Sequence, residues 1–171
     1  YLHRGLGICR IKEMVVEFRM PAGVEVRVQR GEERLRVEYR TPLGVVHTTT
    51  EYSKDMQLRG ISIPHITEHL IRSAEDYAAA GYLFEHIEVV PSFERFRAWA
   101  KELGEDGVPV ASAFHGASPM HQIQRDLIDP TEFYFHYKDH RRLIQGLAAR
   151  MEPLFERILE ISAASPAEVV M

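Results

Sequence analysis

The chain has 171 residues, a mass of 19.7 kDa and a formal charge of −4, with 45% apolar and 27% charged residues. That is globular composition with room for one ordinary domain, and it excludes a disordered chain and a whole-chain basic footprint for nucleic acid. The single cysteine, Cys9, excludes a disulfide framework and a cysteine-rich zinc site built from this chain alone, and no apolar run approaches the roughly 18 residues of a membrane span.

No secretory leader pattern is visible, so a reducing, cytoplasmic setting is expected. Both ends read as cut: the sequence opens on Tyr1 and closes on the apolar run Val169-Val170-Met171, without a polar tail. The expectation is an interior piece of a longer chain.

Residues 13 to 52 alternate in polarity. Val24, Val26 and Val28 point one way, and Glu25, Arg27 and Gln29 the other. Leu35, Val37 and Tyr39 alternate in the same manner with Arg36, Glu38 and Arg40. A period of two predicts an antiparallel meander of four half-buried strands, near 13–19, 24–29, 34–40 and 45–52, with a charged, solvated outer face. Turn residues separate the runs at Pro21-Ala22-Gly23, Arg30-Gly31-Glu32-Glu33 and Thr41-Pro42-Leu43-Gly44. Residues 1–60 are assigned to this extension and 61–171 to an α/β part, with the join near 60–72.

From Ser73 onward the period becomes helical. Ser73-Ala74-Glu75-Asp76 has the pattern of a capping box and predicts a helix to about Glu85. Ser92 opens a second helix, with Phe93, Phe96, Trp99 and Leu103 on one stripe and Gly104 as its stop. Residues 108–114 read as a buried strand of the kind parallel sheets use. Ser118-Pro119 supplies an N-cap with proline at the first helical position, and Asp129-Pro130-Thr131-Glu132 a further capping box. Leu143, Leu147, Met151, Leu154 and Ile158 mark one long helix containing Pro153. Helices around a buried strand predict α/β architecture with a parallel sheet.

Four places carry candidate chemistry. His65-Ile66-Thr67-Glu68-His69 fits the zinc-peptidase pattern H-x-x-E-H, which needs both histidines on one helical face. Pro64 and the later helix start argue for an extended segment instead. There His65 and Glu68 face opposite sides, His65 and His69 share one, and no metal is assigned. His115-Gly116-Ala117-Ser118-Pro119 lies where a strand gives way to a helix, the place where α/β folds bind ligands. Gly116 allows close backbone approach, and the helix N-terminus favours an anion. The competing reading is a plain turn with His115 hydrogen-bonded locally. On the helix that follows, His121 and Arg125 are four apart and share a face. Arg125 is suited either to a substrate carboxylate or to a pair with Asp126 or Asp129. His115, Ser118, His121 and Arg125 are the predicted substrate-binding set. The aromatic run Phe133 to Tyr137 reads as core or interface packing.

Several of these segments, taken in order, resemble the uroporphyrinogen decarboxylase superfamily. Thr41-Pro42-Leu43-Gly44 resembles its "TP-x-G" turn, and Ser73-Ala74-Glu75-Asp76-Tyr77 its "S-x-E-D-Y" helix start. Gly107-Val108-Pro109-Val110 with Gly116-Ala117-Ser118-Pro119 resembles its strand and Gly-Ala-Pro turn. Asp129-Pro130-Thr131-Glu132 is similar to its "D-x-P-E" helix, and Ser165-Pro166-Ala167-Glu168 to the segment before its next strand.

The resemblance implies part of a (β/α)8 barrel carrying an N-terminal meander, since a whole barrel needs about 250 residues. It implies a cobalamin-dependent methyltransferase that moves a methyl group between a corrinoid protein and a thiol. That branch uses a zinc held by a His-x-Cys pair and a later cysteine, expected here beyond Met171. The alternative enzyme is a uroporphyrinogen decarboxylase acting on a tetrapyrrole substrate. Its N-terminal arginine-rich motif is missing from this sequence, and the place of its tyrosine falls at Arg125. A third alternative is a non-catalytic module that binds a partner through the charged face. A homodimer is expected, and no nucleic-acid or membrane partner. An unclosed barrel also implies an inactive, poorly soluble fragment.

Overall fold

The alternating valines and charges of the N-terminal third build a sheet in the larger of two compact units, which comprises Met20–Ile87 and Gly116–Leu154. The computed structural model describes residues 13–113 and 116–171. Strands β2 (Glu25–Arg30), β3 (Arg34–Thr41), β4 (Gly44–Glu51) and β5 (His65–Glu68) are antiparallel neighbours in that order. Val28 pairs with Val37 and Val37 with Thr48, while Tyr39 pairs with Val46, so these residues share one face. Arg27, Glu38 and His47 pair across the other face. At the β3–β4 turn Thr41 Oγ1 accepts the Leu43 N–H at 3.1 Å, and Gly44 sits at φ +142°, where a side chain is strained.

Helix α2 (Asp76–His86) covers β3 and β4 with its small residues, and Ala79, Ala80 and Leu83 are buried there. It begins two residues later than the capping pattern predicts, with Glu75 and not Ser73 at the N-cap. Asp76 does reach back, accepting the Ser73 and Arg72 N–H groups at 2.9 Å. The Ser73 hydroxyl donates to the same carboxylate at 3.2 Å instead of taking a helical N–H, so Ser73 stays outside.

A short helix α1 (Lys54–Leu58), capped by Ser53, links β4 to β5. The second segment of this unit is helical: α4 (Pro119–Gln122), a π-helical turn (Ile123–Leu127), α5 (Pro130–Asp139) and the first part of α6 (Arg141–Ala163). Ser118 Oγ accepts the His121 N–H, and Asp129 accepts those of Thr131 and Glu132, as both capping patterns predict. The buried stripe of α6 within this unit is Ile144, Leu147, Met151 and Leu154. Leu143, predicted on that stripe, is 39% exposed. The aromatic run is turned outward: Tyr134, Phe135 and Tyr137 are exposed, and His136 is the residue that α5 buries.

The smaller unit comprises residues up to Arg19, Glu88–His115 and Phe155–Met171. Its β1 (Val16–Arg19) pairs antiparallel with β6 (Glu88–Pro91). The first predicted strand is therefore real but is no part of the meander, whose fourth strand is β5. Periodicity fixes which face of a strand is buried and says nothing of its partner. Helix α3 (Glu94–Leu103) buries Phe96 to 1% exposure and stops at Gly104, φ +54°, where the pattern places its end. Removing that phenyl ring from water contributes about 2–3 kcal/mol.

Strand β7 (Val110–Ala111) is parallel to β8 (Val169–Val170). Ala111 and Ala113 exchange backbone hydrogen bonds with Met171, at 2.9 and 3.1 Å. Ser112 between them bonds the opposite neighbour: it donates to Glu13 and accepts from Val15, both at 3.0 Å. Of the buried parallel strand predicted over 108–114, the structure shows Val110–Ala111 with a bridge at Ser112, while Val108 is 60% exposed and Phe114 lies outside the described residues. The described residues form a mixed α/β fold with antiparallel sheets and six helices, and their strands do not close into a barrel. Among them no helix is long and apolar enough to cross a membrane.

Candidate functional site

The turn before α4 positions two of the four predicted substrate-binding residues, Ser118 and His121. His115 and Phe114 lie outside the described residues, as does Cys9. Ser118 is the N-cap of α4, and its hydroxyl accepts the His121 N–H at 3.2 Å. The His121 ring folds back over the turn, where Nδ1 accepts the Ala117 N–H at 3.1 Å. A nitrogen that accepts carries no proton, so this bond selects the tautomer with its hydrogen on Nε2. Ser118 and His121 are thereby brought together. Arg125 lies in the π-turn and grips the Asp126 carboxylate, with Nε at 2.8 Å and a terminal nitrogen at 2.6 Å. The Asp126 hydrogen bond, more than its charge, raises the Arg125 pKa further, so the guanidinium is permanently charged and already held. Of the two acids the sequence offers Arg125, Asp126 is the one it pairs with.

The H-x-x-E-H segment is extended, but its parity is not that of a plain strand. Thr50 pairs with Ile66 and Thr49 with Glu68, so Thr67 is an extra residue in β5. This bulge restores Glu68 to the face that His65 occupies, opposite Glu51. The prediction that His65 and Glu68 face opposite sides fails for that reason. His69 does not join His65 either. It is buried, and its Nδ1–H donates to the Asp126 carbonyl at 3.0 Å, with Asp129 Oδ2 3.9 Å from Nε2. It is a satisfied core histidine that braces the π-turn.

A polar cluster on the charged face of the sheet was not legible in the sequence. Glu68 accepts from Arg36 at 3.0 Å and from the Thr49 hydroxyl, with His47 Nε2 at 3.6 Å. The Arg72 guanidinium lies against the same imidazole, 2.6 Å from Nε2 and 2.9 Å from Nδ1. The Thr49 hydrogen bond, then the surrounding positive charge, holds the Glu68 carboxyl below its usual range. Burial, then Arg72 and Arg36, lower the His47 pKa. Both groups therefore keep one form at neutral pH, carboxylate and neutral imidazole. That suits electrostatic pinning of Arg72, not proton transfer. The residues come from three strands and a loop, and only the register of the sheet assembles them.

A neutral pair is buried under α5. Tyr77 Oη lies 2.9 Å from His136 Nδ1. Burial pushes the tyrosine up to about 12, and burial followed by His140 lowers the histidine. A phenol that keeps its proton and an imidazole that takes none fit one bond, from Tyr77 O–H to Nδ1. Among the described residues no group of three or more His, Cys, Asp or Glu side chains converges on a metal position. Comparison with known proteins finds no matching family model, no matching curated protein and no matching solved structure.

Proposed function

We infer that this chain is part of an enzyme of the uroporphyrinogen decarboxylase superfamily, on a partial (β/α)8 barrel. On this reading it is a cobalamin-dependent methyltransferase that moves a methyl group between a corrinoid protein and a thiol. One observation carries the reading. Strand β7 has parallel neighbours on both sides, through Ser112 to Glu13–Val15 and through Ala111 and Ala113 to β8. The chain between β7 and β8 is helical. Short buried strands, parallel on both sides and joined through helices, are the repeating pattern of such barrels. The Gly116-Ala117-Ser118-Pro119 turn follows β7 where the resemblance expects it, and Ser165-Pro166-Ala167-Glu168 precedes β8.

The methyltransferase branch is favoured over decarboxylation because Arg125 stands at the tyrosine's place and is bound to Asp126. Zinc in that branch lowers the thiol pKa so that the thiolate attacks. The described residues do not fit that metal: they contain no cysteine and no convergent ligand set. The catalytic residues then lie beyond Met171, and the part left to this chain is binding, through Ser118 and His121.

The test is the coding sequence on either side of this chain, followed by expression of the whole frame. The reading expects a downstream His-x-Cys with a later cysteine, and a product that demethylates methylcobalamin only when a thiol is supplied. A stop codon directly after Met171, or a frame without those ligands, sinks it.

A further inference from the structure

The sheet of the larger unit ends in an open strand. β2 is its outermost strand among the described residues, and all 6 residues of β2 are exposed. Helix α2 packs on β3 and β4, and the valines of β2 reach past that cover, Val26 at 37% and Val28 at 58% exposure. An exposed edge carrying β-branched apolar residues is a template for another strand.

The hairpin fixes which backbone groups face outward. The Gly31 N–H donates to the Arg34 carbonyl at 2.8 Å, and bonded pairs alternate along an antiparallel ladder from there. Gln29, Arg27 and Glu25 therefore bond β3, opposite Arg36, Glu38 and Arg40. Val26, Val28 and Arg30 aim their N–H and C=O groups at the open edge. A strand joining that edge must set its own outward residues against these.

The side chains then choose the partner and the register. A two-fold axis through Val26 sets Val26 against itself and Glu25 against Arg27 of the partner, in both directions. Glu25 already accepts from Arg27 within the strand, at 2.8 Å, so the junction closes a ring of alternating sign. The row behind it continues the alternation, because Glu38 stands beside Arg27 and Arg40 beside Glu25. An axis through Arg27 sets that guanidinium against itself, and one through Val28 places Arg27 opposite Gln29 and leaves Glu25 without a cation across the junction. Opposite charges directly across a strand pair stabilise it, and like charges oppose it.

We propose that β2 is a docking edge for a second copy of this chain, paired antiparallel about Val26 so that the two sheets become one. Val26 exchanges its hydrogen bonds with its own copy. Each Val28 N–H donates to the Val24 carbonyl of the partner, the Val24 N–H being held by the Pro21 carbonyl at 3.2 Å. The same patch serves both copies, as a closed two-fold pair requires. This surface is independent of Ser118 and His121 and of the methyltransferase reading.

Sedimentation equilibrium of this chain should give a mass that climbs with concentration toward twice 19.7 kDa. The Val26 and Val28 amides should exchange with deuterium more slowly as it climbs. A mass that stays at one chain up to about 1 mM, the weak end of the affinity scale, overturns the proposal. Fast exchange at both amides would then leave the edge to a foreign strand, and slow exchange would put a segment of the same chain on it. Glu25→Arg and Arg27→Glu each set like charges across the junction, so each should raise the dissociation constant about tenfold or more. In an equal mixture of the two variants every position 25 faces an opposite charge at position 27, and the mixed pair should recover the parent affinity. The chains in the mixture are the same two variants, so recovery cannot come from better folding. A single variant that associates like the parent, or a mixture that fails to recover, overturns the proposal.

Discussion

The buried pair Tyr77–His136 makes the folded state sensitive to acid. Burial lowers the His136 pKa below its ordinary 6.5, and His47 is lowered in the same direction. As the pH falls through about 6.5, the unfolded chain therefore takes up these protons before the folded one does. Stability is full above that value and is lost as the pH drops. Thermal melts taken between about pH 7.5 and pH 5.5 should show a falling midpoint, and His136→Gln should flatten the fall. A slope identical to that of the parent would remove His136 from the account. Nothing in the sequence singled out this histidine from its aromatic neighbours. All five residues from Phe133 to Tyr137 suit a buried position, and only the rotation of α5 against Tyr77 decides which of them enters.

Elements made from strong local signals were legible, and their partners were not. Strands β2, β3 and β4, the proline-capped starts of α4 and α5 and the glycine stop of α3 all follow from residue order alone. The parity of β5 did not, because one extra residue at Thr67 exchanges the faces and no turn chemistry announces it. The π-turn after Gln122 was equally silent, since its sequence reads as ordinary helix. Helix α6 offers a clean test of element-scale energetics. Gly146 lies in its interior, exposed, with nothing within 4 Å of where a β-carbon would stand. Gly146→Ala should stabilise the protein by about 0.5–1 kcal/mol in urea denaturation, through backbone entropy alone. A less stable variant would contradict the open space at that position.

For the whole molecule, the candidate binding residues were only partly legible. The N-cap role of Ser118 could be read directly, whereas the sequence offered Arg125 two acids, Asp126 and Asp129, without choosing between them. The short strands of the smaller unit depend on one another. Met171 holds both Ala111 and Ala113, so deleting Val169–Met171 strips one edge of β7. Hydrogen exchange at the Ala113 amide should then quicken by about tenfold or more, and unchanged protection would show that β8 is dispensable.

The interleaved order of these strands also has a consequence during synthesis. The partners of β1 are made later, and the partner β8 of β7 later still. At about 5–20 residues added per second, β7 waits roughly 3–12 seconds before its partner β8 is made. Through that interval unpaired strand edges are open to other nascent chains. A ribosome that stalls between Ala113 and Val169 leaves β7 without β8, and such products should be cleared as misfolded protein and not stored as a shorter native form.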